Sequence, residues 1–264
     1  RDGGIIAGGT LQSYSIDLEN GVSLSRKGNR DGMIIKYSKE GECEWAKVIG
    51  DNGEDYISSV AETSDGGIIA GGYFYSSVID LGNGVSLTNK YSGSADGMII
   101  KYDKTELPNP TTIQAKGIGR GYADSINSVA ETSDGGIIAG GYLESSSIDL
   151  GNGVSLTNKG DSDGMIIKFN SSGECEWAKG IGGISDDEIY FVAETRDGGR
   201  LAGGDFNSSS IDLGNGVSLS NKSRSIDYSD GMIIKYSAEG ECEWAKGIGG
   251  DEYDYITSVA ETSD

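Results

Sequence analysis

Histidine is absent from the 264-residue sequence, and proline, cysteine and long apolar runs are scarce. Without histidine, neither a Ser-His-Asp nor a Cys-His catalytic arrangement can form, and histidine-containing metal sites are excluded too. No segment approaches the roughly 18 consecutive apolar residues that a membrane helix needs. We therefore expect no membrane insertion and none of the common nucleophilic hydrolases.

Basic residues are also in short supply, because 21 of them face 42 acidic ones, for a formal net charge of -21. A chain of this charge repels nucleic acids and anionic membrane surfaces. Cations, basic partners and neutral glycans remain as candidate ligands. The chain begins at Arg1, inside a repeat, which predicts a monomeric domain within a longer chain.

The three cysteines, Cys43, Cys175 and Cys242, occupy the same place in copies of the motif ECEW. If the copies form separate structural units, these positions lie too far apart for a disulfide. Their spacing is also unlike that of a zinc site. We predict buried free thiols.

Internal repetition covers the whole chain. The motif DGG begins at Asp2, Asp65, Asp134 and Asp197. The motif DGMIIK begins at Asp31, Asp96, Asp163 and Asp230. We predict a single domain, 1–264, made of four repeats at about 2–64, 65–133, 134–196 and 197–264.

Each repeat predicts four strands, A to D. In the third copy they are expected at 126–132, 136–143, 164–169 and 174–181, joined by short turns of Gly, Ser and Asp that suit antiparallel hairpins. Strands B and C, with the runs IIAGG and GMIIK, are apolar without clean alternation, which indicates a sheet covered on both faces.

Tandem units of this kind predict an all-β fold, a β-propeller of four four-stranded antiparallel blades. The small residues of IIAGG and SVAET suit its narrow inner part. The terminal VAETSD is expected to pair with the sheet that 2–10 opens, so the N- and C-terminal strands close the ring. Two alternatives stay open: an open array or β-solenoid fragment, and half of a larger ring.

The runs DGMIIKFNSSGECEWAKGIGG and INSVAETSDGGIIAGGY resemble the bacterial β-propeller repeats known as SBBP repeats. The likeness is greatest to the surface-protein versions that carry a GNGV hairpin between strands B and C. The resemblance implies an extracellular or cell-surface location in a bacterium. The family name implies seven blades, so four repeats depart from it.

The segment IDLGNGVSL predicts a half-buried β-ribbon between strands B and C, because Asn152-Gly153 is a strong signal for a type I′ turn. In an up-and-down sheet, the B–C and D–A connections emerge at the same end of each blade. One face is therefore expected to be rich in loops. The repeated tryptophans of strand D are assigned to packing between blade edges.

The D–A connections are acidic and contain four aligned residues, Asp55, Asp124, Asp187 and Asp254. In one interpretation each accepts backbone N–H bonds in the turn that leads into strand A. In the other, these carboxylates bind calcium, a hard cation that takes oxygen ligands. Apart from this candidate calcium, no cofactor is expected.

Tyrosines gather around this face or the inner strand ends. An aromatic ring with a polar tip can stack on a sugar and hydrogen-bond to it, but tyrosine is also an ordinary strand residue. Arg200 and Asp205 depart from the repeat, replacing the Ile and Tyr of IIAGGY; such departures either tune a ligand site or reflect neutral drift in a tolerant scaffold. The sequence also has an irregular segment with Pro108 and Pro110. The ligand-binding candidates are Tyr73, Tyr142, Asp205 and Arg200.

Catalysis needs one singular constellation, whereas most acidic residues here recur with the fold. We therefore predict a non-enzymatic binding or adhesion module, whose ligand is a glycan or a protein bound at the acidic, loop-rich face. The alternatives are a structural spacer or assembly domain of a larger surface protein and, more distantly, a carboxylate-dependent glycoside hydrolase or lyase.

Overall fold

The computed structural model describes residues 3–103, 112–223 and 228–262. Over these residues the chain forms 23 strands and no helix, so the predicted all-β class is confirmed. Among the described residues there is accordingly no helix long and apolar enough to cross a membrane.

The strands are numbered along the chain, and fifteen of the 23 form four larger antiparallel sheets. Sheet 1 has three strands, β1 (Ile5–Leu11), β4 (Asp31–Tyr37) and β5 (Cys43–Ile49). Sheet 2 has the order β6 (Asp55–Glu62), β7 (Ile68–Phe74), β10 (Asp96–Tyr102) and β11 (Thr112–Ile118). Sheet 3 has the order β12 (Asp124–Glu131), β13 (Ile137–Leu143), β16 (Asp163–Phe169) and β17 (Cys175–Ile181). Sheet 4 has the order β18 (Asp187–Glu194), β19 (Arg200–Phe206), β22 (Asp230–Tyr236) and β23 (Cys242–Ile248).

The predicted ribbon is present in every repeat as a two-stranded sheet between strands B and C. The pairs are β2 (Ser15–Asp17) with β3 (Ser23–Ser25), β8 (Val78–Gly82) with β9 (Val85–Thr88), β14 (Ser147–Gly151) with β15 (Val154–Thr157), and β20 (Ser210–Asp212) with β21 (Ser218–Ser220). Asn152 and Gly153 have φ of 56° and 77°, the left-handed values that the Asn-Gly turn requires.

The chain divides into two compact units, Arg1–Ile126 and Asn127–Asp264. In the first unit, sheet 2 is the centre of an apolar core that includes Ile34, Trp45 and Phe74. In the second, the core of sheet 4 includes Ile166 and Ile234. Strands β10 and β16 are buried almost throughout, which confirms that the central strands are covered on both faces.

Consecutive sheets within a unit pack through the glycines of strand B. A Cβ on Gly8 would lie 2.7 Å from Val60 Cγ1, and one on Gly140 would lie 2.5 Å from Val192 Cγ1. Strand A of the following sheet therefore packs directly on the backbone of strand B. The small residues of IIAGG lie at this contact, as their size predicts.

The cysteines and tryptophans of strand D have different environments. Cys43, Cys175 and Cys242 are buried and free, which confirms the prediction. Trp45 is 1% exposed, and Trp177 packs on the turn at Gly240. Trp244, however, is 43% exposed, so packing between blade edges is not general. It lies in sheet 4, the last sheet along the chain among the described residues.

The C-terminal segment 253–262 packs on sheet 4 without forming a strand. The Ile256 N–H donates to the Gly204 carbonyl at 3.1 Å, and Val259 lies over Gly203 as Val60 lies over Gly8. The segment therefore packs on strand B of sheet 4 in the manner of a following strand A. Ring closure and the number of blades stay predictions, as does the single domain.

Parts of the irregular loops lie outside the described residues. These are 104–111, which contain Pro108 and Pro110, and 224–227 in the loop before β22. Strand β11 is described, and Gln114 pairs with Lys101 where Trp177 pairs with Lys168 in sheet 3.

Candidate functional site

The loop end of each sheet is the end at which strand A begins, strand B ends, strand C begins and strand D ends. In sheet 4 the register pairs Asp187 with Phe206, Phe206 with Asp230, and Gly231 with Ile248. The ribbons and the acidic D–A connections therefore emerge at this one end, as predicted. Most of the candidate residues lie here.

The four aligned aspartates are hydrogen-bond acceptors, and Asp55, Asp124 and Asp187 are buried. Asp55 accepts N–H bonds from Tyr75 and Ser76 at 3.1 and 3.0 Å, and its other oxygen accepts from the Ser76 hydroxyl at 2.6 Å and the Asp51 N–H at 3.2 Å. Asp187 is bonded in the same way to Ser208 and Gly183. The Asp124 and Asp254 carboxylates accept N–H bonds from Arg120 and Gly250. The turn interpretation is thus confirmed, while the calcium interpretation stays a prediction.

Burial disfavours ionisation of two of these carboxyls, those of Asp55 and Asp187. It raises the pKa of Asp187 to about 6, although the bonds from Ser208 and Gly183 lower it, and the nearby Asp163 carboxylate raises it further. Burial also raises the pKa of Asp55, where Asp31 adds to the effect. The cause of the additional rise is a second buried carboxylate close by.

That second carboxylate belongs to the aspartate that begins strand C, which the sequence reasoning did not select as a site residue. Its four copies, Asp31, Asp96, Asp163 and Asp230, are each 0% exposed. Asp31 and Asp55 face one glycine, since a Cβ on Gly50 would lie 2.4 Å from Asp31 Oδ1 and 2.7 Å from Asp55 Oδ2. The signal in the sequence was the fourfold DGMIIK, which places an acid at the start of an otherwise apolar strand.

We call these sets the aspartate pairs: Asp31 with Asp55, Asp96 with Asp124, Asp163 with Asp187, and Asp230 with Asp254. In each pair the strand-A N–H donates to the carbonyl of the residue that precedes the strand-C aspartate, at 2.9 to 3.0 Å. The two carboxyl groups are therefore held together by the backbone.

A tyrosine cluster lies at the loop end of sheet 2, in the first compact unit. Tyr73 stacks on Tyr56 with ring centroids 4.6 Å apart, and the Tyr75 ring meets Tyr73 edge-on at 6.3 Å. Arg30 Nη1 donates to the Tyr56 hydroxyl at 2.8 Å, and that hydroxyl donates to Glu54 Oε2 at 3.0 Å. The candidate Tyr73 thus belongs to a group of aromatic and charged side chains that are joined by ring contacts and hydrogen bonds.

An acidic cluster lies at the loop end of sheet 4. The candidate Asp205 is directly opposite Glu188, and both carboxylates are hydrogen-bonded to the Tyr190 hydroxyl. Asn127 Nδ2 donates to Glu188 Oε1 at 2.9 Å. Burial raises the pKa of Asp205 and of Glu188, and each is raised further by neighbouring acids. Hydrogen-bond donors and cations are the groups that such a cluster would bind.

The sequence did not predict that Tyr190 and Asn127 would contact these acids. Tyr190 is the extra residue of a β-bulge between Ile189 and Phe191. Bulges turn a side chain away from the regular alternation of a strand. No feature of the sequence marks this bulge.

The remaining candidates, Arg200 and Tyr142, lie in strand B of sheets 4 and 3. Arg200 is 4% exposed at the opposite end of β19 from Asp205, where it donates to Glu194 Oε1 at 2.8 Å. The structure does not bring Arg200 and Asp205 together. Tyr142 lies opposite Gly164, as Tyr73 lies opposite Gly97. The binding roles of both residues stay predictions.

Within the described ranges, no group of three or more Asp, Glu or Cys side chains is arranged to hold a metal ion. The comparisons with known proteins add no further constraint: no family model matches the chain, and no curated protein matches it either.

Proposed function

We propose that the chain is a non-enzymatic glycan-binding module, a closed four-bladed propeller displayed outside a bacterial cell as part of a larger surface protein. Location and origin rest on the resemblance to SBBP repeats. The blade number rests on the four repeats. The end segment at Gly203 supports closure, since it packs as the strand A of a further blade would.

The tyrosine cluster is the observation that carries the proposed binding role. Aromatic rings bind the apolar face of a sugar, while charged groups beside them hydrogen-bond to its hydroxyls. Tyr75 is 38% exposed, and the side chains of Arg30 and Glu54 are 43% and 42% exposed. Rings and charged groups therefore both reach solvent at one place on the loop end.

The test is a glycan array with the purified chain, followed by calorimetric titration of each saccharide that binds. Tyr73→Ala is expected to weaken binding at least tenfold, because it removes the ring between Tyr56 and Tyr75. The comparison variant is Tyr142→Ala, which removes the other tyrosine candidate at the same position of the IIAGGY motif in sheet 3. It is expected to weaken binding less, because Ser125 there replaces the tyrosine of strand A.

An array without any hit contradicts the glycan proposal and favours a protein ligand or a structural spacer. Equal losses in Tyr73→Ala and Tyr142→Ala would remove the tyrosine cluster from the proposal. Both variants are checked for an unchanged unfolding temperature, so that loss of binding is not confused with loss of folding.

A further inference from the structure

The strand-C aspartates have an unusual hydrogen-bond pattern. One carboxylate oxygen of each, Oδ2, accepts a backbone N–H from the lysine of the preceding loop: Lys27, Lys90, Lys159 or Lys222. The other oxygen, Oδ1, is buried and has no hydrogen-bond partner among the described residues. The same unpartnered Oδ1 atom recurs in all four repeats.

Such a group is costly, because a buried carboxylate oxygen without a donor loses its solvation and gains nothing in return. Native proteins contain few buried polar atoms of this kind, and each calls for an explanation. A fourfold recurrence at 0% exposure shows that the arrangement belongs to the repeat and is not a local accident.

In three pairs the unpartnered oxygen and the second carboxylate lie beside the same glycine. A Cβ on Gly119 would lie 2.2 Å from Asp96 Oδ1 and 2.8 Å from Asp124 Oδ2. A Cβ on Gly182 would lie 2.4 Å from Asp163 Oδ1 and 2.7 Å from Asp187 Oδ2. With the pair at Gly50, three aspartate pairs converge in this way. At Gly249 only Asp230 is among the nearest atoms.

We propose that each of the three complete aspartate pairs binds one calcium ion between the unpartnered Oδ1 of its strand-C aspartate and the carboxylate of its strand-A aspartate. The glycine leaves room beside the two oxygens, and water and main-chain carbonyls complete the shell. This is a different set of ligands from an acidic D–A loop alone, since each site takes one aspartate from strand C and one from strand A.

A divalent cation is the occupant that the chemistry favours. Both groups offer oxygen only, and hard cations such as Ca²⁺ are bound by carboxylates, carbonyls and water. A charge of two neutralises two carboxylates, which removes their repulsion. The nearby lysine offsets only part of this charge, because Lys159 carries a single positive charge and its Nζ donates to the Gly182 carbonyl at 3.2 Å.

In each compact unit such an ion would connect two sheets. Asp31 begins a strand of sheet 1 and Asp55 begins one of sheet 2, while Asp163 and Asp187 belong to sheets 3 and 4. The role of calcium is therefore to stabilise the junction between consecutive sheets. This inference does not rest on glycan binding.

The experiment starts from the whole chain, stripped with EDTA and dialysed. Calorimetric titration with CaCl₂ and native mass spectrometry are expected to give three bound ions, with an unfolding midpoint several degrees higher in Ca²⁺ than in EDTA. Asp163→Asn is expected to lower the count from three to two. Its matched control, Asp161→Asn, makes the same charge change at an exposed neighbouring residue and should leave the count at three.

If Asp163→Asn does not fold, the wild-type count and midpoint decide alone. A chain that takes up no calcium and unfolds at the same temperature in Ca²⁺ and EDTA overturns the proposal, and a shared proton or a buried water then bridges the pair. Loss of an ion in Asp161→Asn would equally overturn it, because binding would then depend on surface charge. Glycan binding, measured separately with Tyr73→Ala, can fail without affecting either result.

Discussion

Sheets 2 and 4 carry the same DGMIIKY strand and the same buried aspartate at its start, yet they differ at one cross-strand pair of the loop end. In sheet 2 this pair is Tyr56 opposite Tyr73, and in sheet 4 it is Glu188 opposite Asp205. Positions buried in the repeat are kept, whereas a half-buried position at the loop end varies in chemistry.

The two pairs also differ in energetics. A stacked aromatic pair stabilises a sheet by about 0.5–1.5 kcal/mol beyond its buried area. Like charges directly opposite each other destabilise it. Sheet 4 therefore tolerates an unfavourable pair, which Tyr190 and Asn127 hold in place through hydrogen bonds. A position that gives up stability in an otherwise regular repeat is a good candidate for a binding role.

The largest expected effect is at the glycine beside an aspartate pair, a position that is glycine in all four repeats. Gly182→Ala places a methyl group within 2.4 Å of Asp163 Oδ1, so we expect the free energy of unfolding to fall by about 3 kcal/mol. The matched control is Gly180→Ala, near the end of the strand that precedes Gly182, where the nearest atom to a Cβ is 3.8 Å away. Urea unfolding measures both, and equal losses would show that the pair does not require glycine.

An intermediate effect is expected at the lysine of the DGMIIK motif, which is buried in sheets 3 and 4. Lys168 is 1% exposed and contacts Asp134 at 2.9 Å. Burial would raise the pKa of Asp134, but hydrogen bonds from Thr132, Lys168 and Gly136 outweigh it and lower the pKa below its usual 3.8. Because Asp134 is half exposed, Asp134→Asn is expected to cost only about 1 kcal/mol at pH 7.

The sign of the pH dependence follows from that lowered pKa. The wild-type contribution is fully present above pH 4 and is lost as the pH falls below it, through the folded-state pKa. The difference between the wild type and Asp134→Asn should therefore shrink in acid, as measured by urea unfolding from pH 7 down to pH 2. A difference that stays constant would assign it to hydrogen-bond geometry and not to charge.

The smallest expected effect comes from changing the cross-strand pair that distinguishes sheet 4 from sheet 2. Asp205→Tyr gives sheet 4 the strand-B residue of sheet 2 and removes the like-charge pair, so at pH 7 we expect a gain of about 0.5 kcal/mol in the free energy of unfolding. Since burial raises the pKa of Glu188 and of Asp205, the gain should shrink as the pH falls and vanish once both acids are protonated. Asp205→Asn is the conservative control. A clear loss of stability at pH 7 would mean that the Tyr190 and Ser229 bonds outweigh the repulsion.

Much of the fold follows from local pattern. The strands expected at 136–143 and 164–169 are β13 and β16 with boundaries shifted by one residue, because apolar runs between Gly-rich turns specify them directly. Asn152-Gly153 similarly specified its ribbon, since few other residues tolerate both left-handed positions. The exposed Trp244 was missed because burial depends on what packs against a strand, which the strand itself does not encode.

The sequence by itself determined the repeat, the antiparallel sheets, the free buried thiols and the end at which the loops emerge, because each of these depends on residues close together in the chain. Only the tertiary structure decided which side chains meet. Asp31 and Asp55 are 24 positions apart in the sequence, yet they face one glycine. Arg200 and Asp205 are only five positions apart, yet they lie at opposite ends of one strand. Strand direction and the packing of successive sheets set these distances, and neither can be read from the letters of a single repeat.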